Sequence, residues 1–286
     1  MSDGTADGDD PRALRAVAEQ LATDAAAFVR RRRGEVFGPA AAATADDAVA
    51  VKSTPTDPVT VVDTETERLL RERLAELRPG DQILGEEEGG TADAAAGQLT
   101  WVLDPIDGTV NFVYDIWAYA VSVAVQRDGE SVAGAVADVA NGVVYSAARG
   151  DGASVTAGGA ATPLRCSAAG DLSLALLGTG FAYAPQRRRE QAEILLGVLP
   201  HVRDVRRIGS CALDLCMVAA GRLDVYYEDG VNVWDWAAGA LIAAEAGARV
   251  RLPVPAGAVG GDGLVTAAAP GVADAFEDLL GRVGVR

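Results

Sequence analysis

Apolar residues recur at helical spacing from residue 11 to about 33, where Leu14, Val17, Leu21, Ala25 and Phe28 share a face and Pro11 suits a first turn. The basic run 30–33 at its end reads as a solvated terminus, where cations favour the helix dipole. The acidic stretch 1–10 reads as a disordered tail, and 38–50, rich in Ala, Gly and Asp, as a mobile loop. A second helix is expected near Thr64, with Thr64-x-x-Glu67 as a capping box, Leu70, Leu74 and Leu77 on one face, and Pro79-Gly80 as the stop. The period then changes. Residues 82–85 and 100–103 read as short strands that run straight into acidic residues. Residues 119–126, 131–139 and 143–147 read as an antiparallel meander, joined by the hairpin dipeptides Asp128-Gly129 and Asn141-Gly142. From about 157 the pattern predicts strands at 174–177, 202–208, 223–227 and 264–268, and helices at 187–199, 211–220, 234–246 and 272–283. This is a layered α/β or α+β protein of two lobes, 11–155 and 156–286, that together form one catalytic unit.

Composition narrows the chemistry. The 286 residues are 49% hydrophobic, enough for a large core. There is no uncharged apolar run of about 18 residues to cross a membrane. The polar N-terminus lacks the regions of a signal peptide, so a cytoplasmic location is expected. Against 25 Lys and Arg stand 41 Asp and Glu, a net charge of −16. Such a chain repels nucleic acid and anionic membrane, and an anionic substrate would need a cation between itself and these carboxylates. Three cysteines, Cys166, Cys211 and Cys216, with no Cys-x-x-Cys, argue against disulfides and zinc. The single histidine, His201, reads as a surface residue and excludes histidine-rich metal sites. The chemistry left must run on carboxylates, hydroxyls, lysine or backbone groups.

Three acidic clusters stand at strand ends or helix starts: Gly85-Glu86-Glu87-Glu88, Asp104-Pro105-Ile106-Asp107-Gly108-Thr109 and Trp234-Asp235. Carboxylates gathered in one place repel unless cations lie between them, and oxygen ligands suit Mg²⁺. Pro105 stiffens the turn so that Asp104 and Asp107 can face one point. Gly108 permits close backbone approach, and Thr109 offers a hydroxyl for a water. An isolated Asp-Gly would be a turn and nothing more, but this run is too particular for that.

Asp104-Pro105-Ile106-Asp107-Gly108-Thr109, with Trp234-Asp235 and Ala237-Ala238-Gly239, resembles the two signature motifs of the inositol monophosphatase family, nearest to its bacterial SuhB-type members. Gly85-Glu86-Glu87 looks like the family's upstream metal motif. Lys52-Ser53, Pro55, Asp57, Val59-Thr60 and Asp63 look like the loop before it. The resemblance runs in order from about residue 11 to the last helix. It implies a layered α-β-α-β-α sandwich, a homodimer and two or three Mg²⁺ ions. Glu86, Asp104 and the Ile106 carbonyl would hold the first ion, and Asp104, Asp107 and Asp235 the second. Glu86 would also touch a third. Asp63 and Thr109 would orient and deprotonate the attacking water. Gly108 and Thr109 N–H groups would meet the phosphate, Glu228 the polyol hydroxyls, and Gly209, Ser210 and Cys211 would line the substrate cleft beside Asp107 and Asp235. Lys52 would lie near a mobile flap. The implied activity is hydrolysis of inositol 1-phosphate and related polyol phosphates by direct attack of water, with inversion at phosphorus and sensitivity to Li⁺.

Without the family, several of these residues have plainer roles. Asp63 is a helix N-cap, Asp57 and Asp229 are turn residues, and Cys211 is a buried inert thiol. Trp117, Tyr119, Trp234 and Trp236 read as core or interface. The same metal site could serve fructose 1,6-bisphosphate, histidinol phosphate or a 3′-phosphonucleotide, and a protein-binding scaffold is the alternative of another class.

Overall fold

The computed structural model describes residues 7–38, 49–52, 58–90, 95–253 and 263–285. The first outer layer is α1 (Pro11–Phe37), which buries its Leu14–Ala18–Leu21–Ala25–Val29 stripe. A ribbon of β1 (Val49–Val51) and β2 (Pro58–Thr60) leads from it into α2 (Val61–Leu77), which packs beside α1.

The second layer is an eight-stranded sheet. It comprises β3 (Gln82–Gly85), β4 (Gly89–Gly90), β5 (Leu99–Asp107), β6 (Ala120–Arg127), β7 (Glu130–Asp138), β8 (Val143–Ala148), β9 (Ala153–Ala157) and β10 (Ala160–Pro163), in the order β10-β9-β8-β7-β6-β5-β3-β4. The expected meander forms β6 to β8, and the antiparallel run extends beyond it from β5 to β10; only β3 and β5 run parallel. Every residue of β5 is buried, as a strand covered by helices on both faces must be. A short helix, α3 (Thr109–Tyr114), follows β5.

The rest alternates as β11 (Leu176–Thr179), α4 (Pro185–Val198), β12 (Asp204–Arg206), α5 (Cys211–Ala219), β13 (Val225–Asp229), α6 (Val233–Glu245), β14 (Arg249–Arg251), β15 (Leu264–Ala268) and α7 (Ala273–Arg282). Its strands make a five-stranded mixed sheet, β12-β11-β13-β15-β14. Helices α5 and α6, apolar nearly all round, form the middle layer between the two sheets, and α4 and α7 cover the far face. The three apolar clusters match this α-β-α-β-α layering: one under α1, one around α5 and α6, one under α7. Among the described residues no helix is long and apolar enough to cross a membrane.

Several local expectations need correction. Helix α2 starts at Val61, and its cap is Thr60, not Asp63 or Thr64. The run 30–33 is not merely solvated. Arg33 is buried, donates to the Phe112 carbonyl (3.0 Å) and pairs with Asp115 (3.0 Å), while Arg30 donates to the Val139 carbonyl and Arg32 pairs with Glu65. The hairpin β9–β10 was not foreseen. Tyr119 and Trp236 are core, whereas Trp117 is exposed. The expected disordered tail is structured over residues 7–10, where Arg78 donates to the Gly8 carbonyl (2.8 Å) and pairs with Asp9 (2.6 Å); its first six residues, the loop at 39–48, and Ser53, Pro55 and Asp57 lie outside the described residues.

Candidate active site

The site begins with strand register. Gly85 of β3 lies level with Leu103 of β5, and the Glu86 N–H donates to the Leu103 carbonyl (3.2 Å). Glu86 therefore arrives at the same sheet end as Asp104. On a regular strand Asp104 and Asp107 would face opposite sides. A bulge changes this: Asp104 pairs with Ser122 and Asp107 with Ala120, so Pro105 and Ile106 oppose one residue. Pro105 suits the bulge because it has no N–H to leave unpaired. The freed Ile106 N–H donates to Asp104 Oδ1 (3.0 Å). Gly108 then turns the chain through a left-handed conformation (φ 96°) into α3.

Two aspartates come from the third positions of helices. Asp63 closes a capping box: its Oδ2 accepts from the Thr60 N–H (2.9 Å) and hydroxyl. Its Oδ1 lies 3.2 Å from Thr109 Oγ1, which also reaches the Ile106 carbonyl (3.0 Å). Asp235 repeats the device on α6, with Oδ2 accepting from the Asn232 N–H (2.6 Å). In each case one oxygen is tied to the cap and the other is left for chemistry. Asp107 is fixed from the other lobe: its Oδ2 accepts from Ser210 Oγ (2.7 Å) and the Ala212 N–H (2.6 Å) at the start of α5.

Asp104, Asp107 and Asp235 each offer an oxygen within 4.8 Å of the others. Burial, then repulsion from Glu86 and the neighbouring aspartates, pushes Asp104 and Asp235 well above the usual carboxylate range. Burial carries Asp107 to about 7 even though Ser210 and Ala212 pull it down, and carries Asp63 to about 6 against its bonds to Thr60. Hard oxygen donors that hold protons only for want of a counter-charge fit a divalent cation such as Mg²⁺.

Glu86 faces the same cavity, but its Oε1 is held by Lys52 Nζ (2.8 Å), which also binds Glu87 (2.6 Å). Burial works against the Lys52 charge, and the two glutamates more than offset it. Glu87, first by burial and then by repulsion from Glu86, rises to about 7. Sequence reasoning missed Glu67, seen only as a cap. It is fully buried on α2 and accepts from the N–H groups of Glu87 (2.7 Å) and Glu88 (3.1 Å), fixing the turn that presents Glu86. Only tertiary contact distinguishes it from the other helix glutamates.

The aspartates open on a cavity of about 500 Å³ that is also lined by Gly209, Ser210, Cys211 and Glu228, as expected. Trp234 packs against the middle apolar cluster and also lines this cavity. Glu228 Oε2 accepts from the buried Tyr226 hydroxyl (2.8 Å). Gly180 makes room for this carboxylate, since a Cβ there would lie 2.0 Å from Glu228 Oε1. Cys211 is buried and its thiol pushed up, first by burial and then by Glu228 and Asp107, so it is not a nucleophile. Behind it Asp214, also unforeseen, has both oxygens buried without a hydrogen-bond partner, and burial holds it protonated. Asp229 pairs with Arg187, outside the aspartate group, and His201 is exposed.

The fold and these oxygen donors define a hydrolase of phosphate esters. The chain belongs to the inositol monophosphatase family, whose sequence model matches residues 10–280. It is 68% identical over 281 residues to an inositol-1-monophosphatase of Mycobacterium leprae, covering 97% of each chain. It superposes on Mycobacterium tuberculosis SuhB with a TM-score of 0.81 at 59% identity, covering 97% of this chain and 100% of that one. A relative from Pasteurella multocida, 37% identical over 221 residues (77% of this chain, 80% of that one), is named a Nus factor SuhB.

Proposed function

We propose that this chain hydrolyses phosphate monoesters of polyols, inositol 1-phosphate foremost, by direct attack of water. The observation that carries this reading is the group of Asp104, Asp107 and Asp235 in a cavity that Glu228 also lines. Glu86, Asp104, Asp107, Asp235 and the Ile106 carbonyl would hold two or three Mg²⁺ ions. When bound, these supply positive charge to the phosphoryl oxygens and make water more acidic. The remaining roles belong to the protein. The N–H groups of Gly108 and Thr109 meet the phosphate. Thr109 Oγ1 orients the water, and Asp63, ionised at neutral pH with a value of about 6, takes the proton through that hydroxyl. Glu228 accepts hydrogen bonds from polyol hydroxyls, beside Gly209, Ser210 and Cys211. Asp235, on the lobe 156–286, completes a group of carboxylates whose other members lie on 11–155. We further propose a cytoplasmic homodimer without nucleic-acid or membrane partners.

The test is phosphate release from a panel of esters. Inositol 1-phosphate should be turned over with Mg²⁺ and not with a chelator, and with higher kcat/KM than fructose 1,6-bisphosphate, histidinol phosphate or a 3′-phosphonucleotide; no turnover would refute the reading. Asp63→Asn should lower kcat about 100-fold with KM little changed, since it removes only proton transfer. Gly180→Ala should displace Glu228 and raise KM for inositol 1-phosphate about 3- to 10-fold, the effect of one weakened hydrogen bond. A normal KM in that variant would show that Glu228 does not hold the substrate.

A further inference from the structure

Strand β13 places Tyr226 and Glu228 two residues apart, so both side chains stand on the same face of the five-stranded sheet. Helix α5 packs on that strand and brings Cys211 and Asp214, three residues apart on one side of the helix, against Tyr226. The neighbouring strand β11 runs level with β13, Gly178 beside Tyr226 and Thr179 beside Tyr227, so that Gly180 follows beside Glu228. Neither glycine has a side chain, and the space is used. A Cβ on Gly178 would lie 3.3 Å from Tyr226 Cδ2, and one on Gly180 would lie 2.0 Å from Glu228 Oε1. Tyr226 is fully buried in this box, and its hydroxyl needs a partner there. Asp214 is not that partner, since neither of its oxygens has a hydrogen bond. The Cys211 thiol adjoins the hydroxyl but is a weak partner. The hydroxyl donates to Glu228 Oε2 at 2.8 Å.

A glutamate free to turn at a cavity wall samples several rotamers, and freezing one of them counts against binding. Here the freezing is done in advance. Oε2 is tied to a rigid buried group, the carboxylate lies against the bare backbone of Gly180, and Oε1 is left for a ligand. Burial pushes Glu228 above its ordinary range, and the Tyr226 hydroxyl pulls it back toward the ionised form that accepts hydrogen bonds. Resting on the polyol-phosphatase reading, we propose that Tyr226 is a positioning residue: its buried hydroxyl holds Glu228 ready for a substrate hydroxyl, and so sets the preference for polyol phosphates over phosphate esters that carry no hydroxyl. Tyr226 acts through Glu228 alone and lies outside the cavity lining.

The experiment measures kcat and KM for inositol 1-phosphate, and Ki for cyclohexyl phosphate, a ring of the same size without hydroxyls, as a competitive inhibitor. Tyr226→Phe keeps the aromatic ring and its packing. It should raise KM for inositol 1-phosphate about tenfold with kcat little changed, and leave Ki for cyclohexyl phosphate where it was. Glu228→Ala and the double variant Tyr226→Phe/Glu228→Ala should share one KM, because the hydroxyl has nothing to act on once the carboxylate is gone. A rise in KM and Ki together would mean that Tyr226 only packs the cavity wall, and would overturn the proposal. So would a further rise of KM in the double variant. A KM that rises in Glu228→Ala but not in Tyr226→Phe overturns this inference and leaves the polyol reading standing. A wild type inactive on inositol 1-phosphate is a separate result, which ends the polyol reading and this inference together.

Discussion

Replacing Asp107 with Asn is expected to cut kcat/KM for inositol 1-phosphate by at least about 10³-fold, because charge stabilisation at a phosphoryl centre is worth several kcal/mol. The same change should raise the melting temperature of the metal-free protein. An asparagine can keep both anchors, with its carbonyl accepting from Ser210 Oγ and the Ala212 N–H as Asp107 Oδ2 does now. Its amide then points at Asp104 and Asp235, where it donates instead of repelling. A gain of about 1 kcal/mol corresponds to about 2–4 °C in a chain of this size. Activity and stability thus move in opposite directions, the mark of a residue retained for function at the expense of the fold. A variant that lost both together would mean that Asp107 is structural.

The second large effect is on stability against pH. In the metal-free fold, burial sets Asp107 at about 7 and Asp63 at about 6, and also raises Asp104 and Asp235 well above the usual carboxylate range. An unfolded aspartate titrates near about 3.9. From that value up to the folded ones, the folded chain holds more protons than the unfolded chain, so stability is full below about pH 4 for these groups and is lost as pH rises toward 7 and beyond. A carboxyl that titrates one pH unit higher in the folded chain contributes about 1.4 kcal/mol, so the metal-free protein should melt several degrees higher at pH 5 than at pH 8. Millimolar Mg²⁺ should reverse the order, because an ion bound only by the folded state adds about 2.7 kcal/mol at a hundred times its Kd and needs the carboxylates ionised. The general acidity of the chain contributes to the slope as well. Asp104→Asn separates the two: it should flatten the metal-free slope, whereas diffuse surface repulsion would leave the slope in place.

How much of this was legible in the sequence depended on range. The segment from Asp104 to Thr109 could be read because its chemistry is local: a proline-stiffened bulge, a glycine with left-handed φ and a hydroxyl three residues from a carbonyl. The meander was legible for the same reason, through its Asn-Gly and Asp-Gly turns. Asp63 was assigned its site role, yet the helix start was misplaced, since Thr60, Asp63 and Thr64 all make plausible caps in the absence of the β2 strand that selects Thr60. The buried residues of polar type were the least legible. Arg33, Glu67 and Asp214 look like surface positions on their helices, and only the Phe112 carbonyl, the amides of the Glu87 turn and the packing of α5 against β11 and β13 show otherwise.

The central claim is that carboxylates from β5 and α6 gather to hold cations. The most direct test is an anomalous difference map from a crystal soaked in Mn²⁺ as a stand-in for Mg²⁺. A peak within coordination distance of Asp104, Asp107 and Asp235, absent in Asp107→Asn, is the expected result. Clear density for all three side chains with no peak among them would contradict it.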